Sequence, residues 1–433
     1  MKKIKVRCGF ILTLLVSVAS NAIAATDPFY IYSGSTPLSS IPLGTVVAKR
    51  TVTYNLVGVP TPLTALQLVY RTNNARMQPV VNVTTVLKSP VNNGKAISYQ
   101  SYYDSLNPYD APSRVIAGNR DISKVFNLGG FVVNSEAAVP IAQLLLAGYN
   151  IIVPDTEGQT ADFAAGPEYG MVTLDSIRAA THTPTSGLQP LSPVAMIGYS
   201  GGAIATNWAA QLAPTYAPDV NKILVGAAQG GVLVNPAHNV YYVNGSTVWG
   251  GIVPTTLLGL SRAYGADFTP YLSSKGLSIM EDIKDQSILY ILPRYAGLQF
   301  ETLFKPEYAK DLNKIPPYVK YINKVNAGLV GSPTIPMLIV QGTLGAPNGT
   351  FKLEPGDGVM MSNDVRALAK KFCLSGTDVK YGEVALDHFA TTAVWIAQMV
   401  PWLNARFAGN SAPNNCNQIK LLPSNSLAPE IAH

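Results

Sequence analysis

Met196-Ile197-Gly198-Tyr199-Ser200-Gly201-Gly202 lies between an apolar run at 193–199 that reads as a strand and an Ala-rich run at 201–216 that reads as a helix. A strand turning sharply into a helix holds the residue at the turn in a strained conformation and lifts its side chain above the sheet edge. Small residues two positions before and after the serine let strand and helix approach closely. The first helical N–H groups then point at the serine oxygen. The pattern predicts a nucleophile elbow at Ser200, the alternative being an inert glycine turn.

Outward from the elbow the chain alternates. Residues 66–71, 80–88 and 96–103 have the β-branched and aromatic content of strands, and 136–147 reads as a helix ending at Gly148. A strand at 150–154, a helix at 167–181 opened by Pro167, and a strand at 222–227 follow. From 231 to 333 the alternation breaks into glycine and proline turns with short helical runs such as 279–292. It resumes with strands at 336–341 and 378–384 and helices at 363–372 and 391–406. Alternating βα units require a mostly parallel sheet with helices on both faces, so the fold class is α/β. The expected layout is a leader at 1–24 and a first core part at 25–230, whose residues 25–65 read as an irregular arm. An inserted, mainly helical cap at 231–333 and a second core part with a C-terminal tail at 334–433 complete it.

The leader reads as a signal peptide: Lys2, Lys3, Lys5 and Arg7 precede an apolar run from Phe10 to Ala19 and the small-residue site Ala22-Ile23-Ala24. The apolar run is too short to span a bilayer, and no other stretch reads as a transmembrane helix. Removing the leader's four basic residues lowers the net charge from +6 to +2. No basic cluster interleaved with aromatics is present, which argues against nucleic-acid binding. Cys373 and Cys416 remain, an even pair that in an exported protein points to a disulfide. Closing that loop would contribute up to about 4 kcal/mol. Two buried free thiols are the alternative.

A serine hydroxyl needs a base, usually histidine, and the base needs an orienting carboxylate. The chain has four histidines. His433 is terminal, His238 lies in the expected cap, and His182 ends a helix, where a cation has a structural reason to sit. His388, between the last strand and the last helix, fits the order Ser, acid, His of α/β-hydrolases. The acid should follow the strand at 336–341, yet Gln341-Gly342-Thr343-Leu344-Gly345-Ala346 contains none. Asp357, before the helix at 363–372, is favoured, as though a dozen residues were inserted; Glu354 and Asp364 stay open. Gly201 supplies one backbone donor for the oxyanion, and the second is expected from the loop after the third strand, near Tyr103-Asp104-Ser105.

With these residues the chain resembles the secretory lipase family. The resemblance rests on Tyr103-Asp104-Ser105 with Ala111-Pro112-Ser113, Pro154-Asp155-Thr156-Glu157-Gly158, and Ala165-Gly166-Pro167-Glu168-Tyr169-Gly170-Met171 leading into Leu174-Asp175-Ser176-Ile177-Arg178. Gly198-Tyr199-Ser200-Gly201-Gly202-Ala203 and Gly226-Ala227-Ala228-Gln229-Gly230-Gly231 follow in order. It implies an α/β-hydrolase fold with a helical lid and a triad of Ser200, Asp357 and His388. It also implies oxyanion donors from the backbones of Asp104 and Gly201, and a bridge from Cys373 to Cys416. The departures are the insertion before Asp357 and Val359-Met360-Met361, where the family usually has Val-Pro. An ionised Asp104 near an oxyanion would oppose catalysis, so its side chain should be turned away or neutral.

The function expected is an exported serine ester hydrolase, foremost a triacylglycerol lipase, meeting ester substrate at a lipid–water interface and needing no metal or organic cofactor. An acyltransferase or a polymer esterase on the same scaffold is the alternative. A non-catalytic binding module is disfavoured because both serine and histidine are in place.

Overall fold

Nine strands form one sheet in the order β1-β2-β3-β5-β4-β6-β7-β8-β9 in the computed structural model, which describes residues 27–118, 129–421 and 427–433. The leader expected at 1–24 lies outside the described residues. The strands are β1 Val46–Leu56, β2 Val59–Asn73, β3 Pro79–Leu87, β4 Ala96–Gln100, β5 Asn150–Pro154, β6 Val194–Tyr199, β7 Leu224–Gly230, β8 Met337–Gly342 and β9 Val379–Val384. From β5 across to β9 every neighbour pair is parallel, while β1, β2, β3 and β5 pair antiparallel. The α/β class with a mostly parallel sheet holds.

Alternating side chains of the central strands enter two cores, as a period of two dictates. Val194 and Met196 of β6 pack with Leu174, Ile177, Ala209 and Phe372 from the helices Gly166–Thr181, Gly201–Tyr216 and Ser362–Leu374. Ala195 and Ile197 face the opposite core, with Trp395, Met399 and Trp402 of the helix His388–Phe407. Two buried faces explain why β4, β5, β6 and β8 are buried at every residue.

The expectation of an irregular arm over 25–65 fails from residue 46 onward. Residues 46–56 form β1, and residues 59–65 extend β2, joined through Val57-Gly58, both at positive φ. The Val/Thr alternation of β1 leaves one face half-exposed, and Pro60 and Pro62 precede Leu66, where the pairing of β2 with β3 begins, in the one-sided part of the hairpin that tolerates proline. The loop Tyr103-Asp104-Ser105 accordingly follows the fourth strand, not the third.

Between β7 and β8 the chain is mainly helical, with helices Pro236–Tyr242, Ile252–Tyr264, Ser274–Ile283, Ile288–Arg294 and Pro316–Lys324. Their core (Leu257, Leu260, Phe268, Ile291 and Phe300 among others) is continuous with Phe163, Ile204 and Trp208 of the sheet-bearing part. The run expected as one helix at 279–292 is broken at 284–287. There the backbone pairs with the loop after β4: Leu106 N–H donates to Gln286 O at 2.9 Å and Ile288 N–H to Asp104 O at 3.0 Å. A disulfide joins Cys373 to Cys416, tying the tail to the helix Ser362–Leu374. Among the described residues no helix is long and apolar enough to cross a membrane.

Candidate active site

Ser200 sits between β6 and the helix Gly201–Tyr216 at φ 54°, ψ −121°, a conformation that non-glycine residues avoid. It is held there by its own N–H on Gly230 O at 2.9 Å and by Ala203 N–H on its carbonyl at 2.8 Å. The flanking glycines are sterically required. A Cβ on Gly198 would stand 2.2 Å from Gly202 O, and one on Gly202 would stand 2.1 Å from Gln100 O at the end of β4.

The structure brings Ser200, His388 and Asp357 together. Ser200 Oγ donates to His388 Nε2 at 2.8 Å, and His388 Nδ1 donates to Asp357 Oδ2 at 2.8 Å. His388 is the first residue of its helix, which begins three residues earlier than the expected 391. Asp387 caps it by accepting from the Phe389 and Ala390 amides. Tyr199 Oη donates to the His388 carbonyl at 2.5 Å, and the His388 amide donates to Asp357 O at 2.8 Å. The imidazole is thus positioned by its backbone before its ring makes any bond.

Asp357 is fully buried and accepts from Gln341 Nε2 at 2.9 Å and from the Val359 and Met360 amides at 3.1 and 2.7 Å. Counting the imidazole, four N–H donors converge on this carboxylate and fix its orientation toward His388. The departure at Val359-Met360-Met361 has a use, because the Met360 amide is a donor that proline lacks. The other acids left open are elsewhere. Glu354 is exposed, and Asp364 accepts from His238 Nδ1 at 2.8 Å. His182 caps its own helix through Nδ1 on Arg178 O, and His433 meets Asp311.

Asp104 and Gly201 line the same cavity as Ser200. Asp104 stands at φ 33°, and its Oδ1 would be 1.8 Å from a Cβ on Gly201, so its carboxyl is pressed against the elbow and is not turned away. Burial, then the neighbouring Glu136, push its pKa well above the usual carboxylate range. The shift favours the uncharged carboxyl.

A secretory-lipase family model matches residues 126–415, about two thirds of the sequence. The chain belongs to the secretory lipase family. It is 29% identical to Lipase 5 of Candida albicans, over 92% of this chain and 83% of that protein. It is equally similar, at 29% over 88% of this chain and 82% of the other, to a protein of Mycobacterium tuberculosis named "Probable inactive lipase". Candida antarctica lipase A in its closed state superposes with a TM-score of 0.75 at 26% identity, covering 93% of this chain and 90% of that one. Family and fold make the protein a carboxylic-ester hydrolase of α/β-hydrolase type.

In this secretory lipase the loop after β4 is clamped by two acids that the sequence did not reveal. Glu136 accepts from Ser101 Oγ at 2.5 Å and from the Tyr102 amide at 2.9 Å. Glu157 accepts from the Ser105 amide at 3.3 Å and from Tyr169 Oη at 3.1 Å. Burial raises Glu136 to about 8, and burial beside Asp104 raises Glu157 well above its ordinary value. Asp155, which accepts from the Ser113 amide and hydroxyl, is raised to about 6, also by burial.

These groups hold protons in the folded state at pH values where unfolded carboxyls, titrating near about pH 4, have lost them. The folded state binds more protons, so stability declines as pH rises. The melting temperature is expected to fall between about pH 5 and about pH 8, and Glu136→Gln to flatten that slope. Differential scanning fluorimetry of both proteins across this range checks it; a melting temperature that rises with pH contradicts it.

Proposed function

We propose that this protein is an exported serine carboxylic-ester hydrolase acting on acylglycerols through an acyl-enzyme. The observation that carries the reading is the 2.8 Å contact from Ser200 Oγ to His388 Nε2, with Nδ1 of the same ring committed to a buried carboxylate. Ser200 Oγ attacks the ester carbonyl while Nε2 takes its proton. Asp357 keeps the other ring proton on Nδ1 and stabilises the imidazolium. The amides of Gly201 and Asp104 bind the oxyanion, where one such donor is worth about 3 kcal/mol in the transition state. The imidazolium returns its proton to the leaving alcohol, and water, activated by the same Nε2, releases the acid. In this reading the neutral Asp104 carboxyl leaves the developing negative charge unopposed.

Residues 231–333 serve as a cap over the serine, consistent with the pairing of Gln286 and Ile288 to the loop that carries Asp104. Export rests on the basic-apolar leader ending at Ala22-Ile23-Ala24 and on the family. The test is hydrolysis of emulsified tributyrin, with products analysed with and without added methanol. Butyric acid as the main product in water supports hydrolysis. Methyl butyrate exceeding the acid at low methanol would move the assignment to acyl transfer.

A further inference from the structure

We infer that Trp249 is the wall that limits acyl length, and that the insertion preceding Asp357 is the bracket that holds it. The inference rests on the serine-hydrolase reading above and adds its substrate class: esters of short acyl chains.

The cavity containing Ser200 is lined mainly by apolar side chains including Phe163, Ile204, Leu233, Val253 and Trp249. Its apolar walls suit an acyl chain, whose reach is limited by the bulkiest group that faces it. Trp249 is the largest side chain on this lining and is almost fully buried. Its ring meets the His388 imidazole edge-on, with centroids 5.2 Å apart at 82°, and stacks on Phe389 at 5.3 Å. It therefore stands beside the reacting groups, where a lengthening acyl chain would meet it.

What fixes the indole comes from an unexpected place. Trp249 Nε1 donates to Asn348 Oδ1 at 3.1 Å, and the Trp249 amide donates to Ser246 Oγ at 3.1 Å. Ser246 Oγ in turn donates to Asn348 O at 3.1 Å. A Cβ on Gly349 would come within 1.8 Å of Thr247 Oγ1, so the two loops touch backbone to side chain. Asn348 and Gly349 belong to the segment that lengthens the path from β8 to Asp357. Thr350 Oγ1 carries the connection onward to Gly358 O, beside the acid, at 2.6 Å. The added residues thus tie one pocket wall to the triad loop. A tryptophan held at its polar end and stacked on a second ring is a rigid barrier.

The test compares kcat/KM for p-nitrophenyl butyrate and p-nitrophenyl decanoate in the parent, Trp249→Ala, Trp249→Leu and Asn348→Ala. A hydrophobic pocket discriminates by about tenfold or more per misfitted methylene. The parent is therefore expected to prefer butyrate by about a hundredfold or more, and Trp249→Ala to raise the decanoate-to-butyrate ratio by at least about tenfold. Trp249→Leu, which keeps more of the packing, should move the ratio in the same direction, and Asn348→Ala should move it less. A parent that hydrolyses decanoate as fast as butyrate overturns the inference, as does an unchanged ratio in folded Trp249→Leu. Both results leave the serine mechanism standing. Absence of any Ser200-dependent hydrolysis in the parent would instead remove the reading beneath it.

Discussion

Ser200→Ala is expected to fold with an unchanged circular-dichroism spectrum and to lose ester hydrolysis by on the order of 10^5-fold. The elbow geometry depends on Gly198, Gly202 and the Gly230 carbonyl, all of which the substitution leaves in place. The oxyanion donors also remain, so a residual rate about 10^3-fold over water is expected. Turnover of p-nitrophenyl butyrate by purified variant and parent checks this. Activity within about tenfold of the parent would place the nucleophile elsewhere.

Asp357→Asn is expected to lower kcat by about 10^4-fold with little effect on KM. The amide replaces an acceptor facing Nδ1, so the ring proton moves to Nε2, where it can no longer take the serine's proton. The two backbone amides that bond Oδ1 can still bond an amide oxygen, which preserves the loop. Asp364→Asn is the control, because Asp364 pairs with His238 and has no bond to His388. It should stay within about threefold of the parent. Steady-state kinetics on both variants separate the candidates; equal losses would assign the acid to neither residue alone.

How much of this was legible in the sequence depended on whether the signal was local. The elbow was, because strand, serine, glycines and helix are consecutive. His388 was legible by scarcity and chain order. Asp357 stayed open, since the insertion moved it from the strand end and its donors are Gln341 from one side and residues 359 and 360 from the other. Gln341, the last polar side chain of β8, donates to Asp357, so the strand end reaches this aspartate although it carries no acid itself.

Strands β1 and the start of β2 were misread because their Thr and Pro content, following the Ser- and Pro-rich residues 33–42, resembles a loop, whereas the Val/Thr alternation of an edge hairpin was the better guide. Glu136 had no local signature, and Glu157 stood in the motif at 154–158 without a role assigned to it. Each is marked as important only by what folding places against it, the amides of Tyr102 and Ser105. The pairing of Gln286 and Ile288 with the loop after β4 was likewise invisible, because it joins segments about 180 residues apart in one irregular bridge. Trp249 belongs to the same class. A tryptophan in a helical insertion reads as core until Asn348 and His388 are seen on two sides of it.

The central claim is that Ser200 Oγ becomes covalently acylated, and mapping the site of a trapped adduct tests it most directly. After treatment with diethyl p-nitrophenyl phosphate and proteolysis, mass spectrometry should find the diethylphosphoryl group on Ser200 and on no other residue, in step with loss of activity. The adduct should be absent when His388 is replaced by alanine. Full inactivation with Ser200 unmodified, or modification of another residue at the same rate, would contradict the account.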